Sequence, residues 1–149
     1  METEITVHEG ADEAGVRPFL DAQWETLDPE PWTGAHCVIR AERGGELIGV
    51  ATCSMDAGVA HLSELMVAAG ERGGGLGARL LAAFEAWAAR HGAHKLTLHT
   101  RHHGPAQPFY ERHGWHVAHV LENHYLRKEY ATMVKEPRRS IYVLSSTRE

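Results

Sequence analysis

Cysteine is scarce in this chain: among 149 residues only Cys37 and Cys53 occur. Two thiols cannot build a disulfide framework or a four-thiolate zinc site. They could still form one bridge, and local geometry argues against it. The segment CVIRAERGGELIGVATC has the pattern of two strands about Gly44-Gly45, a two-residue turn that pairs Arg43 with Glu46. Counting outward sets Cys53 opposite His36 and leaves Cys37 on the other face, so free thiols are expected. Long apolar runs are missing too, since none approaches the roughly 20 residues of a membrane span. The N-terminal METEITVHEG carries acids where a secretory leader has basic residues and then an apolar core. A soluble, cytoplasmic protein is the expectation, with no membrane partner. Basic residues are outnumbered, 15 Lys and Arg against 20 Asp and Glu for a formal net charge of −5. That balance lacks the basic face on which nucleic-acid binding depends. No internal repeat is visible.

What is present is an ordinary globular mixture, 43% hydrophobic and 23% charged, at a length suited to one core. TEITVHEG alternates apolar and polar residues and predicts a first strand. Val16, Phe19, Leu20, Trp24 and Leu27 then recur at helical spacing, with Pro18 acceptable in a first turn. A loop, DPEPWTGA, leads to strands near His36–Arg43 and Glu46–Ser54 and a third over GVAHLSELMV. Leu76, Leu80, Leu81, Phe84, Trp87, Ala88 and His91 mark a second helix ended by Gly92. HKLTLHT is a strand, PAQPFYERHG a short helix closed by Gly114, and WHVAHVLENH and EYATMVK are two further strands. A strand, helix, strand crossover of the length found between Gly58 and Thr100 normally joins parallel strands.

Four glycines crowd ERGGGLGARL, where each costs roughly 0.5–1 kcal/mol in chain entropy relative to alanine. A glycine turn feeding a helix N-terminus leaves backbone N–H groups that phosphate oxygens can approach. Neither the Lys-Ser or Lys-Thr of a Walker loop nor the third glycine of a dinucleotide fingerprint follows. The window Arg72-x-x-Gly75-x-Gly77 instead resembles the Arg/Gln-x-x-Gly-x-Gly/Ala signature of the GCN5-related N-acetyltransferase (GNAT) family. PFYERHGW resembles that family's second signature, an aromatic-Tyr pair followed by Gly and an aromatic. The order of elements matches from about Glu46 to Lys135.

The resemblance implies an α/β fold: a mixed central sheet of about seven strands with a splayed parallel pair, flanked by helices, over residues 1–137. It also implies acetyl-coenzyme A as co-substrate. The strand ending at Val67 and the strand from Lys95 to Thr100 would splay apart, with pantetheine against the backbone of Leu65, Met66 and Val67. The pyrophosphate would lie on Arg72, Gly73, Gly74, Gly75, Leu76, Gly77 and Ala78. His103, where the family often has Asn, joins Ala106 and Phe109 as further cofactor contacts. Tyr110 aligns with the usual proton donor to the leaving thiolate, the alternative for such a residue being packing alone. Glu64, the one carboxylate on its strand, is the candidate base, with ordered water as the alternative.

Carboxylates and aromatic rings in DAQWETLDPEPWTG, with Trp24, Glu25, Asp28 and Trp32 foremost, suit a cationic amine by ion pairing and cation–π contact. The expected reaction is acetyl transfer to the primary amine of a small, cationic molecule. An acyl-coenzyme A sensor or a protein N-acetyltransferase is the alternative. His99, His102 and His103 are close in sequence, but a strand end and a turn rarely aim three imidazoles at one centre, so no metal is expected. The extension Arg138–Glu149 holds the apolar run Ile141–Leu144, a candidate extra edge strand within one chain or between the copies of a homodimer.

Overall fold

The computed structural model describes residues 1–10, 14–27 and 34–137. The chain divides into two units, Met1–Pro31 and Trp32–Glu149. In the first, helix α1 spans Val16–Leu27. Pro18 falls in its first turn, where the missing N–H has no helical partner to lose. Arg17 Nε and Asp21 Oδ1, one turn apart, pair at 3.2 Å.

The second unit is a six-stranded sheet in the order β1-β2-β3-β4-β6-β5, with β1 Gly34–Arg43, β2 Glu46–Asp56, β3 Val59–Val67, β4 Lys95–Arg101, β5 His116–Leu121 and β6 Tyr130–Lys135. Helix α2 runs over Leu76–Arg90 and α3 over Gln107–Arg112. Strands β1, β2 and β3 form an antiparallel meander through two tight turns. Gly44 and Gly45 both take positive φ, 58° and 80°, as a hairpin turn of that length requires. Strand β3 then crosses through α2 to the parallel β4. Leu80, Leu81, Phe84, Trp87 and Ala88 form the buried stripe of α2, packed on β1, β2 and β3. Leu62, Leu96, Leu98 and Met133 complete that core from the sheet, and Tyr110 of α3 and Trp115, just before β5, extend it. His91 ends α2 by donating from Nδ1 to the Trp87 carbonyl at 2.9 Å.

Two expectations need correction. Thr3–Gly10 alternates as a strand would, yet no strand forms there; Ile5 and Val7 stay exposed, and all six strands come from Gly34–Lys135. Alternation permits a strand, but only a neighbouring backbone makes one. The cysteines are also not offset. A bulge opposite Ala41/Glu42 shifts the register by one, so Cys37 faces Cys53 directly. Both are nevertheless free thiols. Burial, then the nearby Cys37, pushes the Cys53 thiol up to about 12.

Among the described residues no helix is long and apolar enough to cross a membrane, and no group of three or more His, Cys, Asp or Glu could hold a metal. The extension from Arg138 lies outside the described residues, and the edge strand expected there with it.

Candidate active site

The glycine turn follows a short 3-10 turn, Ala69–Glu71, at the end of β3. Gly73 and Gly75 hold φ of 87° and 85°, where an L side chain is strained, and a Cβ on either would meet nothing within 4 Å. Their bare faces therefore look onto open space. The first backbone bond of α2 runs from Arg79 N to Gly75 O. None of the backbone amides from Arg72 to Ala78 donates to another described protein group. Arg72 fastens the turn to β3, donating from Nε to the Val67 carbonyl at 3.0 Å. Such a cluster of unpaired N–H groups, at the positive end of a helix dipole, is suited to phosphate oxygens.

A groove of about 350 Å³ runs along this turn, lined by Val67, Arg72, Gly73, Gly75, Leu76, Gly77, Ala78 and Phe109, with Glu71, Arg112 and His113. A Cβ on Gly77 would lie 3.6 Å from Phe109 and 3.8 Å from Val67, so Gly77 is where α3, α2 and the end of β3 close on one another. Gly74 does not line it. That residue lies on a separate groove of about 570 Å³ between α2 and β1, with Arg43 and Arg79.

Beside the turn the sheet opens. Parallel pairing of β3 with β4 covers Val59 to Leu62 against Lys95 to Leu98 and stops, although β3 continues to Val67 and β4 to Arg101. From Ser63 onward β3 pairs only with β2. Its other backbone edge has no strand partner there; Leu65 lies along it, and the Val67 carbonyl on it is taken by Arg72 Nε. A bulge at Ser63 accompanies this divergence, for Leu62 faces Cys53 while Glu64 faces Thr52. It has a second effect: His61 faces Ser54, so His61 and Glu64, three residues apart, share one face of β3. Glu64 is exposed there and accepts a hydrogen bond from Thr52 Oγ1 at 3.2 Å.

Tyr110 is 9% exposed, edge-on to Phe109 and to Trp115. Its hydroxyl has no hydrogen-bond partner among the described residues. Burial raises its pKa, so the phenol keeps its proton at neutral pH. The turn before α3 is strained at His103, a non-glycine residue at φ 58° whose amide donates to Gln107 Oε1 at 2.7 Å. The His103 ring stacks on His102, which is bonded to Glu129. Ala106 precedes the helix and accepts the Tyr110 amide.

The structure thus brings together the glycine turn, Val67 and Phe109, while Gly74, Leu65, Met66, His103 and Ala106 lie outside that groove's lining. Trp24 and Glu25 occupy exposed positions on α1, in the other unit. Asp28 and Trp32 lie outside the described residues. Arg112 and His113 line the groove without having been singled out from the sequence. Their signal was spacing, since they follow Phe109 by three and four residues and share its side of a helix.

Comparison with known proteins agrees with this geometry. Residues 6–115 match the family model described as the acetyltransferase (GNAT) family. An acetyltransferase from Bacillus cereus ATCC 14579 superposes with a TM-score of 0.71 at 20% identity, covering 89% of this chain and 97% of that one. Arabidopsis thaliana Naa50, solved in complex with the bisubstrate analogue CoA-Ac-MVNAL, gives a TM-score of 0.60 at 20% identity over 66% of this chain and 72% of its own. Nourseothricin acetyltransferase gives 0.61 at 21% identity, over 70% and 66%. No curated protein matches. With its family model spanning most of the sequence and its fold shared with these structures, the chain belongs to the GNAT family of N-acetyltransferases.

Proposed function

We propose that the protein transfers the acetyl group of acetyl-coenzyme A to the primary amine of a small cationic molecule. The observation that carries this is the row of unpartnered amides from Arg72 to Ala78, beside a strand edge without a partner strand beyond Leu62. Pyrophosphate oxygens accept from the turn, pantetheine amides pair with β3, and Arg112 and His113 add positive or hydrogen-bonding groups along the groove. The thioester then lies in the wedge between β3 and β4. Attack by the amine builds charge on the carbonyl oxygen and expels a thiolate. Tyr110, protonated and with its hydroxyl unengaged, gives that sulfur its proton. Glu64 draws the ammonium group to the face it shares with His61. The buried Cys53 thiol, pushed up to about 12, is too weakly acidic to serve as an acyl carrier.

A cationic acceptor suits the acid-rich stretch around Trp24, Glu25, Asp28 and Trp32 and the net charge of −5. A protein N-terminus is the second reading, favoured by the likeness to Naa50 with its peptide-bearing analogue. Release of coenzyme A, followed with spermidine, an aminoglycoside and free-N-terminus peptides, separates the two. Faster turnover of the small amines supports the proposal, and faster turnover of peptides replaces it with the second. A sensor would bind acetyl-coenzyme A and release nothing. We also carry a homodimer as part of this reading, from the apolar run Ile141–Leu144; a strictly monomeric mass by light scattering at micromolar concentration removes it.

A further inference from the structure

The sheet face that Glu64 shares with His61 carries a band of imidazoles. His61 on β3 and His99 on β4 have ring centroids 5.3 Å apart. His124, in the loop after β5, lies 6.3 Å from His99 and 5.9 Å from Tyr130. Two threonines hold the rings: His61 Nδ1 is 2.8 Å from Thr97 Oγ1, and His99 Nδ1 is 3.2 Å from Thr132 Oγ1. With Nδ1 donating to the threonine oxygen, Nε2 of each ring is the nitrogen that takes a proton. The pair stands where the β3–β4 ladder ends, His61 one residue before the last pair and His99 one residue after it.

An aliphatic ammonium group has a pKa near 10.4, so only about one molecule in 10³ is nucleophilic at neutral pH. Acetylation of such an amine is helped by a nearby base that is itself unprotonated at that pH. Glu64 can attract the ammonium ion, but a carboxylate is an ill-matched base for so weak an acid. We propose that His99 is the base of the transfer reaction, taking the ammonium proton of the acceptor on Nε2, with His61 beside it as a positioning residue. This rests on the acetyl-transfer reading of the wedge.

Nitrogen sheds two protons in forming the amide. The first passes from the ammonium N–H to the imidazole and on to water. The free amine attacks, the C–S bond breaks, and Tyr110 protonates the sulfur. The second proton, lost from the tetrahedral adduct, makes good the one Tyr110 gave. Charge around His99 favours the acceptor form. Burial lowers the pKa of His61, with His99 contributing; burial lowers that of His99, with His124 and His119 contributing. The groups near His99 are His61 from β3, His119 from β5, and His124 with Tyr130 beyond it; Lys95 and Arg101 extend from β4 itself, and Glu64 lies on the same face of β3 against Thr52. Among the described contacts of His99 there is no carboxylate to hold it charged.

The test compares two acceptors in wild type and His99→Gln: spermidine, or the free-N-terminus peptide if that turns over faster, and hydroxylamine, which is already uncharged at pH 7. His99→Gln should lose about 10²-fold in kcat/KM with the ammonium acceptor at pH 7. That deficit should shrink by about tenfold or more with hydroxylamine, and shrink likewise as pH rises toward the amine's own pKa. His61→Gln should shift the acidic limb of the pH profile in the same assay. Equal losses with both acceptors would assign His99 to packing, and no loss with either would remove it from the reaction; both overturn the proposal. Calorimetry with acetyl-coenzyme A keeps the parent reading separate, because failure of the wild type to bind strikes that reading and intact binding in His99→Gln leaves the kinetic contrast to be decided on its own.

Discussion

Tyr110 shows how much one residue's surroundings decide. A tyrosine on a short helix could merely pack, and this one does pack, edge-on to Phe109 and Trp115. Its hydroxyl, however, finds no partner among the described residues, and burial keeps it protonated. Tyr110→Phe should therefore fold, bind acetyl-coenzyme A nearly as wild type, and lose about 10²-fold or more in kcat and kcat/KM together. Steady-state release of coenzyme A measures it, and near-wild-type turnover would return Tyr110 to packing alone. Gly75 tests the other half of the site. Its φ of 85° is one Asp and Asn can adopt, and a side chain there enters open space at the groove. Gly75→Asp should lower acetyl-coenzyme A affinity about tenfold or more by placing a carboxylate against phosphate, and Gly75→Asn should lower it less. Equal affinities by calorimetry would move the phosphates elsewhere.

At the scale of elements, helix α2, the hairpin at Gly44-Gly45 and the crossover to β4 were legible in the sequence because periodicity and turn chemistry are local signals. The two bulges were not, since an inserted residue such as Ser63 leaves no mark in composition or alternation. Yet the bulge at Ser63 sets Glu64 on the face of His61, and the one near Ile48 sets Cys37 against Cys53. The glycine turn and Phe109 could be placed from motif spacing, whereas the imidazole band could not. His61, His99, His119 and His124 are scattered over sixty-odd residues and meet only through the strand order β3-β4-β6-β5. That band predicts a pH dependence of stability. His61 and His99 have lowered pKa values in the fold, so the unfolded chain binds more protons as pH falls below the ordinary histidine value near 6.5. Their contribution is complete above that pH and is lost as pH drops through the folded values. Melting temperature should fall between pH 7.5 and 5, and less steeply in the His61→Gln/His99→Gln double variant. Parallel curves would contradict the burial assigned to these rings.

For the whole molecule, one side of the sheet is covered by α2 and its core, with Phe84 fully buried at the centre. Phe84→Ala should cost about 3–5 kcal/mol, because the cavity opens under the helix whose N-terminus carries the glycine turn. Chemical denaturation reads it, and a cost under about 1 kcal/mol would mean that the core is not what holds α2 in place. The opposite side carries the polar band from Glu64 to Tyr130, where the proposed reading brings the acceptor. The central claim is that acetyl-coenzyme A lies along the glycine turn and the free edge of β3. Titrating it into ¹⁵N-labelled protein and following backbone amide resonances tests that most directly. The account predicts the largest shifts at Arg72 to Ala78 and at Leu65 to Val67, with smaller ones at Phe109 and His113. Shifts confined to the Arg43–Arg79 groove between β1 and α2, or no shifts at all, would contradict it.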